Sequence, residues 1–179
     1  MKAGFEEKQY ESAANIELAF GNSRNFVHSS GQVFEAIVGY DAIAHADSEH
    51  VIWQILALPR PPGVRLVPEL WKGGQSPRAA SLPSHPVNLF LQYKRPEWMY
   101  GHRAAQWSYW RSSFYRFTLE QRQQEVLLRL EANLSSDAIV RYASPAFSDL
   151  SELEARQLAG EILNGSGFVA PSSLQGHKH

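Results

Sequence analysis

The run Val87-Asn88-Leu89-Phe90-Leu91-Gln92-Tyr93-Lys94-Arg95-Pro96 constrains the fold more than any other stretch of the chain. A short apolar run bounded by turn signals reads as a buried strand. Alternate residues of a strand share a face, so Gln92 and Lys94 project into the same space. A lysine at the end of an apolar strand is costly to hold there without a task or a partner. Pro96 stops the strand and fixes where Lys94 points. The plainer reading of Lys94 and Arg95 is a solvated strand end, where such residues guard an edge.

A chain of 179 residues fits a single domain, 1–179, or one domain with tails. Its apolar share of 44% allows a real core. There are no cysteines, which excludes disulfides, zinc-thiolate sites, iron–sulfur clusters and cysteine nucleophiles. No stretch approaches a membrane span. The start, Met1-Lys2-Ala3-Gly4-Phe5-Glu6-Glu7, lacks the apolar core of a signal peptide, so a cytoplasmic setting is expected. The tail, Leu174 to His179, stops without a helix end or a charged run, as in the front part of a longer protein or a disordered end.

The formal net charge of −1 argues weakly against a nucleic-acid protein, because counterion release needs a positive surface. Local charge differs. From Lys94 to Gln123 the chain carries Lys94, Arg95, Arg103, Arg111, Arg116 and Arg122 against Glu97 and Glu120. The same span holds Trp98, Tyr100, Trp107, Tyr109, Trp110, Phe114, Tyr115 and Phe117. Arginine beside aromatic rings grips phosphates and stacks on bases. The same mixture serves equally as a core lid or as a contact for another subunit.

Residues 5–20 read as a helix, with Phe5, Tyr10, Ala13, Ala14 and Leu18 on one stripe and Gly21-Asn22 ending it. Residues 36–44 read as a strand, a short helix follows over 50–58, and Pro59 to Gly63 stops it. Residues 64–67 are a short strand. The Gly-, Ser- and Pro-rich stretch 72–86 is a connector or a substrate-gripping flap. After the 87–94 strand, 95–117 has no clear period. Thr118-Leu119-Glu120-Gln121 is a capping box opening a helix to Leu134, with Leu119, Val126, Leu127, Leu130 and Leu134 on one face. A strand over 139–143 and a helix from Asp149 or Ser151 to Leu163 come next. Phe168-Val169 reads as a last edge strand.

This order and the strand ending in Gln92-Tyr93-Lys94 resemble the PD-(D/E)xK nuclease superfamily, in the Mrr-like form where glutamine replaces the second acid. The resemblance implies an α/β fold with an αβββαβ restriction-endonuclease-like core, a mixed sheet flanked by helices, spanning about 5–143. It implies a nuclease that cleaves DNA with Mg²⁺ or Mn²⁺. Lys94 matches the family's lysine and Gln92 the second acid. An amide oxygen ligates Mg²⁺ without charge, so Gln92 weakens such a site unless carboxylates elsewhere compensate. For the strand acid, Asp41 is preferred to Glu69, with Glu35 as a helper acid. Asp41 reads alternatively as a turn-stabilising or salt-bridged carboxylate, Glu69 as a solvated loop acid and Glu35 as a partner of an arginine. Arg95, Arg103, Arg111 and Arg116 are the candidate nucleic-acid contacts.

The resemblance also implies a place in restriction or antiviral defence, with a partner protein or a C-terminal domain, and leaves a homo-oligomer open. A non-catalytic nuclease-like assembly or recognition module and an unrelated α/β binding protein are the competing readings. Other motifs fail: Gly73-Gly74-Gln75-Ser76 lacks the Gly-Lys-Ser/Thr of a phosphate loop. His45, His50, His85 and His102 are scattered, and His177 and His179 make no metal site.

Overall fold

Leu89, Leu91 and Tyr93 turn to one side of their strand, Asn88, Phe90 and Gln92 to the other, and all are buried. A computed structural model of the protein describes residues 1–20, 26–29, 40–46, Ile55, 87–134 and 138–177. The strand with this alternation is β3, Val87–Tyr93. It lies at the centre of a mixed five-stranded sheet in the order β1-β2-β3-β6-β7. Strands β1 (Phe26–Ser29) and β2 (Ala42–Ala46) continue it as an antiparallel meander. Strand β6 (Ala138–Pro145) runs parallel to β3, with Gln92 opposite Tyr142, and β7 (Ser166–Val169) pairs antiparallel beyond it. β3 is therefore a central strand, and Lys94 and Arg95 follow directly on its end.

Helix α1, Glu7–Ala19, covers one face of the sheet. It begins where the Glu6 N–H donates to Gln9 Oε1 at 2.8 Å, closing one of the open amides of a helix start. Tyr10, Ala13, Ala14 and Leu18 form its buried stripe, as the periodicity predicts. They pack with Phe5, Leu89, Leu91, Tyr93, Phe147, Ile162 and Leu163. The other face is covered by the long helix α3 between β5 and β6. Strand β4 (Glu97–Met99), the one-turn helix α2 (Trp107–Trp110) and β5 (Phe114–Arg116) precede it and form a separate two-stranded hairpin. Helix α3, Gln121–Leu134, lays Leu127, Leu130 and Leu134 on Phe90, Val140 and Tyr142. Each fully buried side chain of this size contributes about 1.5–3 kcal/mol.

Several boundaries differ from the sequence reading. Helix α3 starts at Gln121 rather than at Thr118, its first bond running from the Gln124 N–H to Glu120 O at 2.9 Å. Helix α4, Leu150–Ala159, has Asp149 at its N-cap but ends at Gly160 rather than at Leu163. Gly160 sits at φ 67, a left-handed conformation that glycine adopts without side-chain strain. The strand expected over 36–44 appears as β2, Ala42–Ala46, with Tyr40 and Asp41 before it. The expectations for 50–58, 64–67 and 72–86 fall outside the described residues, except for Ile55. No helix among the described residues is long and apolar enough to cross a membrane.

The core has an alkaline limit. Tyr10 and Tyr93 are fully buried, and burial is the main cause that lifts both phenols above the ordinary tyrosine value. Below about pH 10 folded and unfolded chains keep these protons equally, and stability is indifferent to them. Above it only the unfolded chain releases them, so stability falls by about 1.4 kcal/mol per pH unit for each phenol. Urea unfolding at about pH 8 and about pH 11 should differ by about 3 kcal/mol from this pair. Equal unfolding free energies at the two values would show that the phenols titrate normally in the fold.

Candidate functional site

The site is built where the ends of β2 and β3 meet. Asp41 immediately precedes β2, and its N–H donates to Leu91 O at 3.0 Å, holding it beside the last turns of the ladder. The Asp41 carboxylate reaches across to β3. Its Oδ2 accepts from Gln92 Nε2 at 2.5 Å and from the Tyr93 N–H at 2.6 Å. Gln92 Nε2 also donates to Tyr93 O at 3.1 Å. Asp41 is 3% exposed and Gln92 1%, so the charge-assisted bonds act where water competes little.

One atom of this cluster lacks a partner. Gln92 Oε1 is buried and accepts no hydrogen bond among the described residues. Arg95 Nε and Gln123 Oε1 are likewise buried without a hydrogen bond among the described residues, and what sets Gln92 Oε1 apart is the Asp41 carboxylate bonded to the same side chain. Lys94 follows β3, with its N–H donating to Ala143 O at 2.9 Å. That bond closes the last rung of the parallel ladder, at Tyr93 and Ala143, and Lys94 is the first residue beyond the strand. Lys94 is half-buried, and its ammonium has no hydrogen bond or ion pair with a described residue.

The donor set is sparse. Asp41 supplies a carboxylate and Gln92 an amide oxygen. Mg²⁺ accepts this, since it usually keeps several waters and takes one or two protein carboxylates besides substrate phosphates. No group of three or more His, Cys, Asp or Glu side chains gathers among the described residues. Glu35 and Glu69, the other candidate acids, lie outside the described residues.

The candidate phosphate contacts divide into two pairs. The Arg95 guanidinium binds Glu6 at 2.9 Å and Ala3 O at 2.6 Å, and the Arg95 backbone N–H donates to Glu7 Oε2 at 2.8 Å. It ties the exit of β3 to the start of α1. Arg116 holds Glu97 from Nε and Nη2, both at 3.0 Å, across the β4–β5 pair where the two residues stand opposite. Both cations are thus engaged within the protein. Arg103 and Arg111 are exposed and form no ion pair with a described residue.

Sequence reasoning missed the Tyr93 N–H, which shares the Asp41 oxygen with Gln92. It also missed the buried polar pair on the α3 face, where the Tyr142 hydroxyl donates to Gln124 Oε1 at 2.7 Å and Gln124 Nε2 donates to Pro171 O at 2.8 Å. A backbone amide leaves no residue-type signal. Gln124 could have been found as the polar position in the apolar stripe of its helix.

No family model matches the chain, and no curated protein or solved structure matches it.

Proposed function

We propose that the chain is a metal-dependent nuclease domain of PD-(D/E)xK type that cleaves DNA, with Asp41, Gln92 and Lys94 at its centre. The observation that carries this reading is the buried contact of Asp41 with Gln92, with Gln92 Oε1 left over beside it. The element order gives further support: a helix, three antiparallel strands, then, past the β4–β5 hairpin, a long helix and a strand parallel to β3. Asp41 and Gln92 would hold Mg²⁺ or Mn²⁺, which when bound polarises the scissile phosphate and acidifies an attacking water. Lys94 would set its ammonium against the negative charge that develops on the phosphate oxygens. A partner protein or domain that holds the DNA, as in antiviral defence systems, suits a chain with so little net charge.

A second reading is favoured by the same contact seen from its other side. Asp41 already accepts two N–H groups, so it can be a lock between β2 and β3 in a non-catalytic assembly module. Gln92→Glu separates the two. It sets a second carboxylate against Asp41, and without metal one of them must carry a proton at pH 7. That costs about 1.4 kcal/mol for each pH unit above the ordinary glutamic-acid value, about 2–4 kcal/mol in all. A metal ion between them removes the penalty and adds about 2.7 kcal/mol at a hundredfold excess over its Kd. The melting temperature of Gln92→Glu should therefore fall in a chelator and recover in Mn²⁺ by more than that of the wild type. A melting temperature indifferent to Mg²⁺ and Mn²⁺ in both proteins supports the lock alone.

A further inference from the structure

The hairpin of β4 and β5 holds the largest set of exposed aromatic rings among the described residues, and neither face of the sheet uses them. Tyr109 is 79% exposed, Tyr100 61% and Trp110 52%. Exposed rings gathered in this way mark a contact surface. We infer that this arm binds single-stranded nucleic acid, stacking unpaired bases on Tyr109 and Trp110 and holding phosphates with Arg103 and Arg111. The inference shares the nucleic-acid partner of the proposed function but does not depend on cleavage.

The base of the arm is firm. Trp98 and Tyr115 stand opposite on β4 and β5 with ring centroids 4.5 Å apart, next to the Glu97–Arg116 ion pair. Residues at the chain start brace it from outside: the Trp98 N–H donates to Met1 O at 2.7 Å and the Ala3 N–H to Pro96 O at 3.1 Å. The tip is shaped by two residues in a conformation that non-glycine residues avoid. Gln106 at φ 69 and Arg111 at φ 53 flank α2. Each conformation of this kind costs on the order of 1 kcal/mol and persists only where surrounding structure imposes it. Here the Arg111 N–H donates to Trp107 O at 2.8 Å and closes the turn. Trp110 rests against Phe114 at 5.6 Å, and Tyr109 meets Trp110 edge-on at 5.1 Å. The rings are braced against one another while remaining open to solvent.

Charge selects the occupant. From Trp98 to Leu119 the chain has no aspartate or glutamate. Glu97, at the base, is taken by Arg116, while Arg103 and Arg111 stay exposed and without an ion pair to a described residue. The partner is therefore anionic and presents flat faces to stack on. A single strand offers both, since every base has a π face and every link a phosphate. Duplex DNA hides its base faces and would leave the rings without a counterpart. A second copy of the arm would set its own cations against like charges, with no acid at the tip to receive them. An open cleft of about 540 Å³ beside Tyr100, His102 and Arg103 adds room of the size that small ligands occupy. The base of the arm lies near the candidate site: Trp98 is four residues past Lys94, at most about 14 Å along an extended chain.

The test is binding of labelled oligo-dT of about 12 nucleotides, within the usual range for a single-strand site, and of a duplex of equal length. Both are measured by anisotropy in a chelator so that no cutting intervenes. The wild type should prefer the single strand. Tyr109→Ser with Trp110→Ser should weaken it by about 30-fold or more, the loss of two stacked bases. Arg103→Gln with Arg111→Asn should lower the salt dependence of binding by about 1.4 in log–log slope, about 0.7 for each phosphate contact. All four positions are exposed, so matching circular dichroism spectra and melting temperatures should show these variants folded. Duplex binding as tight as single-strand binding, or an aromatic variant that binds like the wild type, overturns the inference. Self-association lost in the aromatic variant, with no oligo-dT binding by the wild type, overturns it also and assigns the arm to a second copy. Oligo-dT binding by a protein that never cuts leaves the inference standing and removes the nuclease reading. Cutting without oligo-dT binding does the reverse.

Discussion

Lys94→Ala is expected to lower metal-dependent cleavage of DNA by about 10²–10³-fold, the usual loss when one charge-stabilising group is removed from a reacting oxygen. Folding should be untouched. The Lys94 ammonium makes no hydrogen bond or ion pair with a described residue, while its backbone N–H, which the substitution keeps, carries the bond to Ala143 O. Apart from stem packing, the lysine therefore has little structural work to lose. A lysine just past the end of a central strand, with no ion-pair partner among the described residues, suits a partner from outside, and a phosphate is the one proposed. Rates are compared at equal folded concentration in Mg²⁺ or Mn²⁺. A variant that cuts as fast as the wild type removes Lys94 from the site.

Asp41→Ala is expected to destabilise the fold by about 3–6 kcal/mol, read from urea or thermal unfolding. The carboxylate receives the Gln92 amide and the Tyr93 N–H in a place almost without water. Removing it leaves both donors buried and unpaired, and each such group costs about 1–3 kcal/mol, more when the lost partner was charged. Asp41→Asn should behave differently. Its amide oxygen can take the place of Oδ2 and accept both the Gln92 amide and the Tyr93 N–H. Both donors keep a neutral acceptor in place of a charged one, so the stability change should stay near about 1 kcal/mol. The contrast between the alanine and asparagine variants therefore measures the lock between β2 and β3 apart from any metal ligation.

Much of the scaffold was legible because it depends on local periodicity. The alternation in 87–93, the stripe of α1 and the leucine row of α3 each follow from a few neighbouring residues, and the structure buries them accordingly. The end of α4 was not legible. Ile162 and Leu163 continue the apolar pattern, but they leave the helix at Gly160 and bury themselves against α1. There Glu17 Oε2 accepts the Ile162 N–H at 2.6 Å. A contact that distant leaves no mark on the spacing.

The hairpin over 97–116 showed no period because its order lies in cross-strand pairs such as Trp98 with Tyr115. Charge counting gave Arg95 and Arg116 the same standing as Arg103 and Arg111, although the first pair is spent on Glu6 and Glu97. At the candidate site, the shared face expected for Gln92 and Lys94 rests on strand parity alone, and Lys94 falls one residue past the end of β3. The union of Asp41 with Gln92 joins residues 51 positions apart and needed the sheet register to be seen.

The most direct test of the site is cleavage of supercoiled plasmid by the wild type and Asp41→Asn in Mg²⁺ and Mn²⁺, at matched folded concentration. The proposed site requires cutting by the wild type and a loss of at least about 10²-fold in the variant, since a neutral amide replaces the single described carboxylate that would hold the ion. Equal cutting by the two proteins contradicts it and leaves Asp41 as the lock between two strands.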